Sequence, residues 1–191
     1  MMVDFENDIQ SCLSVLNRGG LILYPTDTIW GIGCDAGNAE AVEKIFQLKR
    51  RPDSKSMIVL VADERDILKH VAAVDLALFD FLKKETRPTT VVYEGAIGFA
   101  PNLIASDGTI GIRICGDEFC KHLVKRFRKP IVSTSANLSG EPSPSTFKNI
   151  SQEIMNGVDY VVHYRRDDTS IAQPSKIIRW NKDSSITVIR P

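Results

Sequence analysis

Apolar residues recur every three or four positions over Asp4–Arg18, where Phe5, Ile9, Cys12, Leu13 and Leu16 share one helical face. Gly19-Gly20 then ends the predicted helix. The period changes at Leu21–Tyr24, a short apolar run closed by Pro25 that predicts a buried strand. After the glycine-containing loop PTDTIWGIGCDAG, Asn38 suits the N-cap of a second predicted helix. The stripe Val42, Ile45, Phe46 on that helix puts Lys49 on the inward face and Arg50 outward, and Pro52 prevents continuation.

Further apolar runs predict strands at Met57–Val61, Thr89–Tyr93, Ile110–Ile114, Pro130–Ser133, Tyr160–His163, Lys176–Trp180 and Ile186–Arg190. Helical patterns are predicted around Asp63–His70, Asp75–Lys84, Asp117–Phe127 and Phe147–Met155. Strands that alternate with helices and read as continuous apolar runs predict an α/β fold with both sheet faces covered. The later strands are less regularly separated by helices, so the predicted sheet is mixed. With 191 residues and no internal repeat, low-complexity tract or linker, one domain over residues 1–191 is expected.

Charge narrows the function classes. The chain has 24 basic and 24 acidic residues, a balance that disfavours bulk nucleic-acid binding but allows a local basic cleft. Arg126, Arg128 and Lys129 form a small basic cluster that reads as a solvated charge run, allowing at most weak tRNA contact. Four cysteines without C-x-x-C spacing, and three histidines, predict reduced thiols and neither a disulfide framework nor a metal site. The acidic start MMVDFENDIQ has no apolar core and predicts no signal peptide. No apolar run reaches membrane-spanning length, so a cytoplasmic protein without membrane partners is expected.

The chemistry concentrates in a few polar interruptions. Pro130-Ile131-Val132 runs straight into Ser133, Thr134, Ser135, Asn137, Ser139, Ser143 and Ser145. Such residues favour turns, and a loop leaving a buried strand is where α/β folds place ligand sites. Ser133 and Ser135 point the same way if the strand extends that far. In Ile110–Ile114, alternation sets Arg113 opposite Ile112, where it reaches solvent or faces an anion. Lys49, Arg50 and Arg51 at the helix end either complement its dipole or serve a site. No P-loop or dinucleotide-binding fingerprint occurs.

The string S-x-S-A-N-x-S-G at Ser133–Gly140 resembles the signature of the YrdC-type threonylcarbamoyl-AMP synthases. Three other segments also resemble family motifs: K-x-R-P at Lys49–Pro52, Y-P-T-D-T with two following glycines from Tyr24, and the tail with Ser175 and Arg190. The resemblance runs from Leu21 to Arg190 and implies the short, single-domain form with a concave ligand cleft. It implies a nucleotidyltransferase that makes threonylcarbamoyl-AMP and pyrophosphate from L-threonine, bicarbonate and ATP, with Mg²⁺ accompanying ATP. Downstream, kinase-like tRNA threonylcarbamoyl transferase proteins would use the product.

The resemblance further implies a catalytic tetrad of Lys49, Arg51, Ser135 and Asn137. It implies threonine binding by Thr26, Thr28, Arg113, Ser133 and Ser175. ATP would be bound by Lys49, Arg51, Lys55, Thr90, Ser135, Asn137, Ser143 and Arg190. The chain departs from the family where Thr86-Arg87-Pro88-Thr89-Thr90 replaces W-P-G-P-x-T, and where Lys55 and Leu60 replace Asn and His. Two alternatives stay open: an RNA-binding module of the same fold, and a paralogous nucleotidyltransferase with another small-molecule acceptor.

Overall fold

The structure is a computed structural model and describes residues 5–50 and 57–191. Its elements in chain order are α1 (Glu6–Asn17), β1 (Ile22–Tyr24), β2 (Gly31–Gly33), α2 (Ala39–Lys49) and β3 (Ile58–Val61). Then come α3 (Glu64–His70), α4 (Ala77–Lys84), β4 (Thr89–Tyr93), β5 (Ile110–Ile114), α5 (Glu118–Phe127) and β6 (Ile131–Ser135). The chain closes with α6 (Gln152–Asn156), β7 (Tyr160–Val161), β8 (Lys176–Trp180) and β9 (Ile186–Arg190).

Among the described residues these strands form one mixed sheet in the order β7-β1-β2-β6-β3-β5-β4-β8-β9. The β1/β7, β3/β5 and β4/β8 pairs are parallel and the remaining neighbours antiparallel. The mixed α/β architecture expected from the sequence is therefore the one observed. β6 is the hinge of the sheet: Ile131–Ser133 pair with β3, and Thr134 and Ser135 pair with β2. On one side Val59, Val91, Ile112 and Val132 enter the core with Leu123 and Val124 of α5. α1 joins that layer through Phe5, whose ring meets Phe119 edge-on at 5.6 Å.

Two predicted elements differ. The Gly31–Gly33 segment, read as loop, is a strand between β1 and β6. A Cβ on Gly33 would lie 2.6 Å from the Tyr24 ring and 2.8 Å from the Val132 carbonyl oxygen, so only glycine lets the backbone pass there. The glycines that permit this strand also lower its β-propensity, which hides it in the sequence. The helix predicted over Phe147–Met155 divides into a 3-10 turn at Phe147–Asn149 and the short α6, whose N-cap Ser151 accepts from the Ile154 amide. Ser151 diverts its backbone to start a new helix instead of continuing the old one.

The sheet end is the other surprise. Every residue of β9 is exposed, including Val188 and Ile189. The expectation of a sheet covered on both faces fails at this edge.

Candidate active site

Alternation along β4, β5 and β6, the last separated from β5 by β3, aims small and polar side chains at a single cleft of about 530 Å³. Thr90 of β4, Gly111 and Arg113 of β5, and Ser133 and Ser135 of β6 all line it. The β1–β2 loop adds Thr28, the segment after β6 adds Ser143, and the tail adds Ser175 and Arg190. Eight of the side chains singled out in the sequence, scattered from Thr28 to Arg190, thus meet on one concave surface.

Arg113 is only 1% exposed, although arginine is seldom buried. Its Nη1 donates to Asp27 Oδ1 at 2.5 Å, and the other Asp27 oxygen accepts from the Gly116 amide at 3.0 Å. Its Nε is buried without a hydrogen-bond partner among the described residues. A guanidinium carries five N–H donors, so a buried donor left unpaired on a residue that lines a cleft needs an acceptor.

The β1–β2 loop carries a directed hydroxyl relay. Thr26 Oγ1 donates to the Ile29 carbonyl at 2.8 Å and accepts from the Thr28 amide at 3.0 Å. With that proton committed, the 2.9 Å contact between the two threonine hydroxyls must run from Thr28 to Thr26. Thr28 Oγ1 therefore offers lone pairs, not a proton, to the cleft. Across the cleft Thr90 Oγ1 and Ser175 Oγ lie 2.8 Å apart. Arg190 reaches the Ser175 carbonyl through Nε at 3.0 Å and Nη2 at 2.7 Å. Burial and the nearby charges of Arg87 and Arg113 lower the Arg190 pKa below the usual guanidinium value.

Lys49, Asn137 and Thr26 stand behind the wall instead of along it. Lys49 is 1% exposed, as its helical phase predicts, and its ammonium donates to the Ser135 carbonyl and, at 2.5 Å, to the Asn137 carbonyl. The Ser139 amide in turn donates to the Lys49 carbonyl at 2.8 Å, closing the end of α2 against the loop. Asn137 Nδ2 donates to the Leu138 and Glu141 carbonyls, both at 2.8 Å, and its Oδ1 is buried without a partner among the described residues. Arg50 points outward to an exposed ion pair with Glu153 at 2.7 Å. Arg51 and Lys55 lie outside the described residues. Leu60 is fully buried core, in register with Arg113 on β5.

Three residues in or beside the cleft escaped the sequence reading: Asp27 behind Arg113, and Asp107 and Arg179 on the lining, the last two 3.7 Å apart. For Arg179 the signal was present, since alternation in Lys176–Trp180 puts it beside Ile177, and both line the cleft. Asp27 sits inside a quoted motif, but nothing local reveals that its partner is 86 residues away. Among the described residues no cluster of three or more His, Cys, Asp or Glu side chains could hold a metal ion. The four cysteines are free and buried, and burial pushes the Cys115 thiol up to about 12.

Fold and site together define a mixed α/β protein with a polar cleft lined by arginines and hydroxyls. The chain belongs to the Sua5/YciO/YrdC family, whose domain model, described as "Telomere recombination", matches residues 14–191. It is 34% identical over 179 residues to the threonylcarbamoyl-AMP synthase of Hahella chejuensis, covering 88% of this chain and 91% of that one. The threonylcarbamoyl-AMP synthase of Idiomarina loihiensis is 32% identical over 164 residues, covering 84% of this chain and 87% of the relative. Among solved structures, P. abyssi Sua5 complexed with L-threonine superposes with a TM-score of 0.85 at 21% identity. That match covers 97% of this chain, which spans only 54% of the P. abyssi chain. E. coli YciO superposes with a TM-score of 0.79 at 22% identity, covering 96% of this chain and 88% of that one. At these identities both structures speak for the fold alone.

Proposed function

We propose that this protein is an L-threonylcarbamoyladenylate synthase, joining L-threonine, bicarbonate and ATP into threonylcarbamoyl-AMP with release of pyrophosphate. The observation that carries the reading is the convergence of Thr28, Arg113, Ser135, Ser175 and Arg190, from four separate segments, on one cleft. Relatives that bear the synthase name support it over most of the chain.

In this reading the threonine carboxylate docks on the open edge of Arg113, and Thr28 accepts a hydrogen bond from a threonine N–H or O–H. Thr26 orients Thr28, and Ser133 and Ser175, which also line the cleft, complete the threonine contacts. The amine and bicarbonate condense to a carbamate with loss of water. One carbamate oxygen then attacks the α-phosphorus, and the bond from phosphorus to the pyrophosphate oxygen breaks. The nucleophile is already an anion, so the work left to the protein is alignment and charge stabilisation. Ser135, Ser143, Thr90 and Arg190 hold the nucleotide, Lys49 and Asn137 set the field and shape of the phosphate end, and the family resemblance assigns Arg51 and Lys55 to the phosphates. ATP enters as its Mg²⁺ complex.

The working unit is a single YrdC-like domain over residues 1–191. No helix among the described residues is long and apolar enough to cross a membrane. Four free, buried thiols suit a cytoplasmic setting. The product passes to separate kinase-like proteins that modify tRNA adenosine, and direct tRNA contact is weak. Arg126 is paired with Glu6 at 2.6 Å and Lys129 with Asp35 at 2.7 Å, so two of the three cations in that cluster already have carboxylate partners.

The test is pyrophosphate release from ATP with each component omitted in turn. Release is expected to need both threonine and bicarbonate. Equal release with alanine, or with no amino acid, would remove threonine as the substrate.

A further inference from the structure

We propose that Asp27 is a positioning residue that holds the Arg113 guanidinium edge-on to a carboxylate in the cleft. The inference rests on the reading of Arg113 as the anchor for the threonine carboxylate.

A buried arginine side chain has several rotatable bonds and can present its donors in many directions. Here one bond removes most of that freedom: Asp27 Oδ1 takes Nη1 at 2.5 Å. Asp27 is itself clamped, because its second oxygen accepts from the Gly116 amide at 3.0 Å and its side chain is 11% exposed. The contact engages only one end of the guanidinium. Nε and Nη2 form the opposite, side-on edge, and Nε is buried with no partner among the described residues. Two carboxylates can flank one guanidinium without touching if each takes a different edge, and bidentate pairing on the free edge adds geometric selectivity.

The arrangement also explains Gly116. A Cβ there would stand 2.8 Å from Asp27 Oδ2, so any larger residue pushes the carboxylate away from its place. Gly116 opens the turn into α5, where Asp117 caps the helix by accepting from the Cys120 amide. The first turn of α5 thereby sets the position of Asp27, and Asp27 sets Arg113.

The experiment compares wild type, Asp27→Asn and Gly116→Ala by calorimetric threonine binding and by separate KM values for threonine and ATP. In Asp27→Asn the side-chain amide keeps an oxygen for the Gly116 N–H but turns its own N–H donors, and no acceptor, toward Arg113. A role limited to tying the loop would leave that variant unaffected. Positioning instead requires threonine binding to weaken about 10–100-fold, the scale of one charge-assisted hydrogen bond. The ATP KM should stay within about twofold and Tm near that of wild type. Gly116→Ala should move threonine binding in the same direction without touching either charge. Unchanged threonine affinity in Asp27→Asn, or equal loss toward both substrates, overturns the positioning role alone. A wild-type protein that fails to bind threonine at millimolar concentration overturns the functional reading and this inference with it.

Discussion

On the β6 side of the cleft, side chains serve the backbone. Lys49 ties the Ser135 and Asn137 carbonyls, and Asn137 ties those of Leu138 and Glu141. On the β4–β8–β9 side, they also serve one another: Thr90 meets Ser175 hydroxyl to hydroxyl, and Arg190 wraps the Ser175 carbonyl from an exposed strand. The first wall is embedded in the core, so its chemistry and its stability are the same set of contacts. The second runs from β4 inside the sheet, where Thr90 and Ser175 are buried at 0% and 3% exposure, out to the fully exposed edge strand β9. Function and folding are fused at Lys49 and become separable only toward the exposed end of the second wall.

The largest expected effect falls on the fused wall. Lys49→Ala should lower turnover about 10²–10³-fold, as when a preorganised charge stabiliser is lost. The buried ammonium, bonded to two carbonyls, also ties Lys49 into the fold. Loss of a charge-assisted bond there should cost about 1.5–3 kcal/mol, measurable as a lower urea midpoint. A Lys49→Ala protein with wild-type stability would break the contrast between the walls.

On the second wall, Thr90→Val keeps the shape but removes the hydroxyl that meets the buried Ser175. Loss of that internal hydrogen bond should lower stability by about 1 kcal/mol, read in the urea midpoint, and loss of the hydroxyl at the nucleotide end should raise the ATP KM about 3–10-fold. A large stability loss would show that this wall is as embedded as the other.

Away from the cleft, Asp8 gives a purely structural reference. Burial favours its neutral form, yet amides of His163 and Tyr164 and the Tyr160 hydroxyl overcome this and hold the carboxyl below its ordinary value of 3.8. A lowered folded pKa means the contribution is complete above the unfolded value and is lost as pH falls through the folded one. Asp8→Asn should flatten the acid limb of the stability profile and leave the threonine and ATP KM values unchanged. An altered KM would tie this clamp to the cleft.

The smallest effect belongs to Arg50→Ala, next in sequence to Lys49. Its ion pair with Glu153 leaves the two side chains 70% and 46% exposed, so less than about 1 kcal/mol and no change in turnover are expected. Comparable losses from Arg50→Ala and Lys49→Ala would return both residues to simple helix-end electrostatics.

These contrasts also explain what could be read in advance. Lys49 was legible because helical phase forces position i+7 of an apolar stripe inward, and Arg113 because strand alternation sets it opposite Ile112. The strand at Gly31–Gly33 was not, since only Ile32 carries an apolar side chain and its need for glycine comes from Tyr24 and Val132 in other strands. The pairing of Asp27 with Arg113, the relay from Thr28 to Thr26, and the exposure of β9 depend on tertiary placement that no local period encodes. Motif resemblance brought the site residues together in one hypothesis; the sheet order shows how Thr90, Gly111, Arg113 and Ser133 come to share a face.

The central claim is that the cleft makes a carbamoyl adenylate, and the fate of bicarbonate tests it most directly. Radiolabelled bicarbonate, L-threonine and ATP should yield a labelled product that contains AMP, appears with pyrophosphate in equal amounts, and is absent when threonine is left out. Pyrophosphate release with no label in an AMP-containing product would contradict the account.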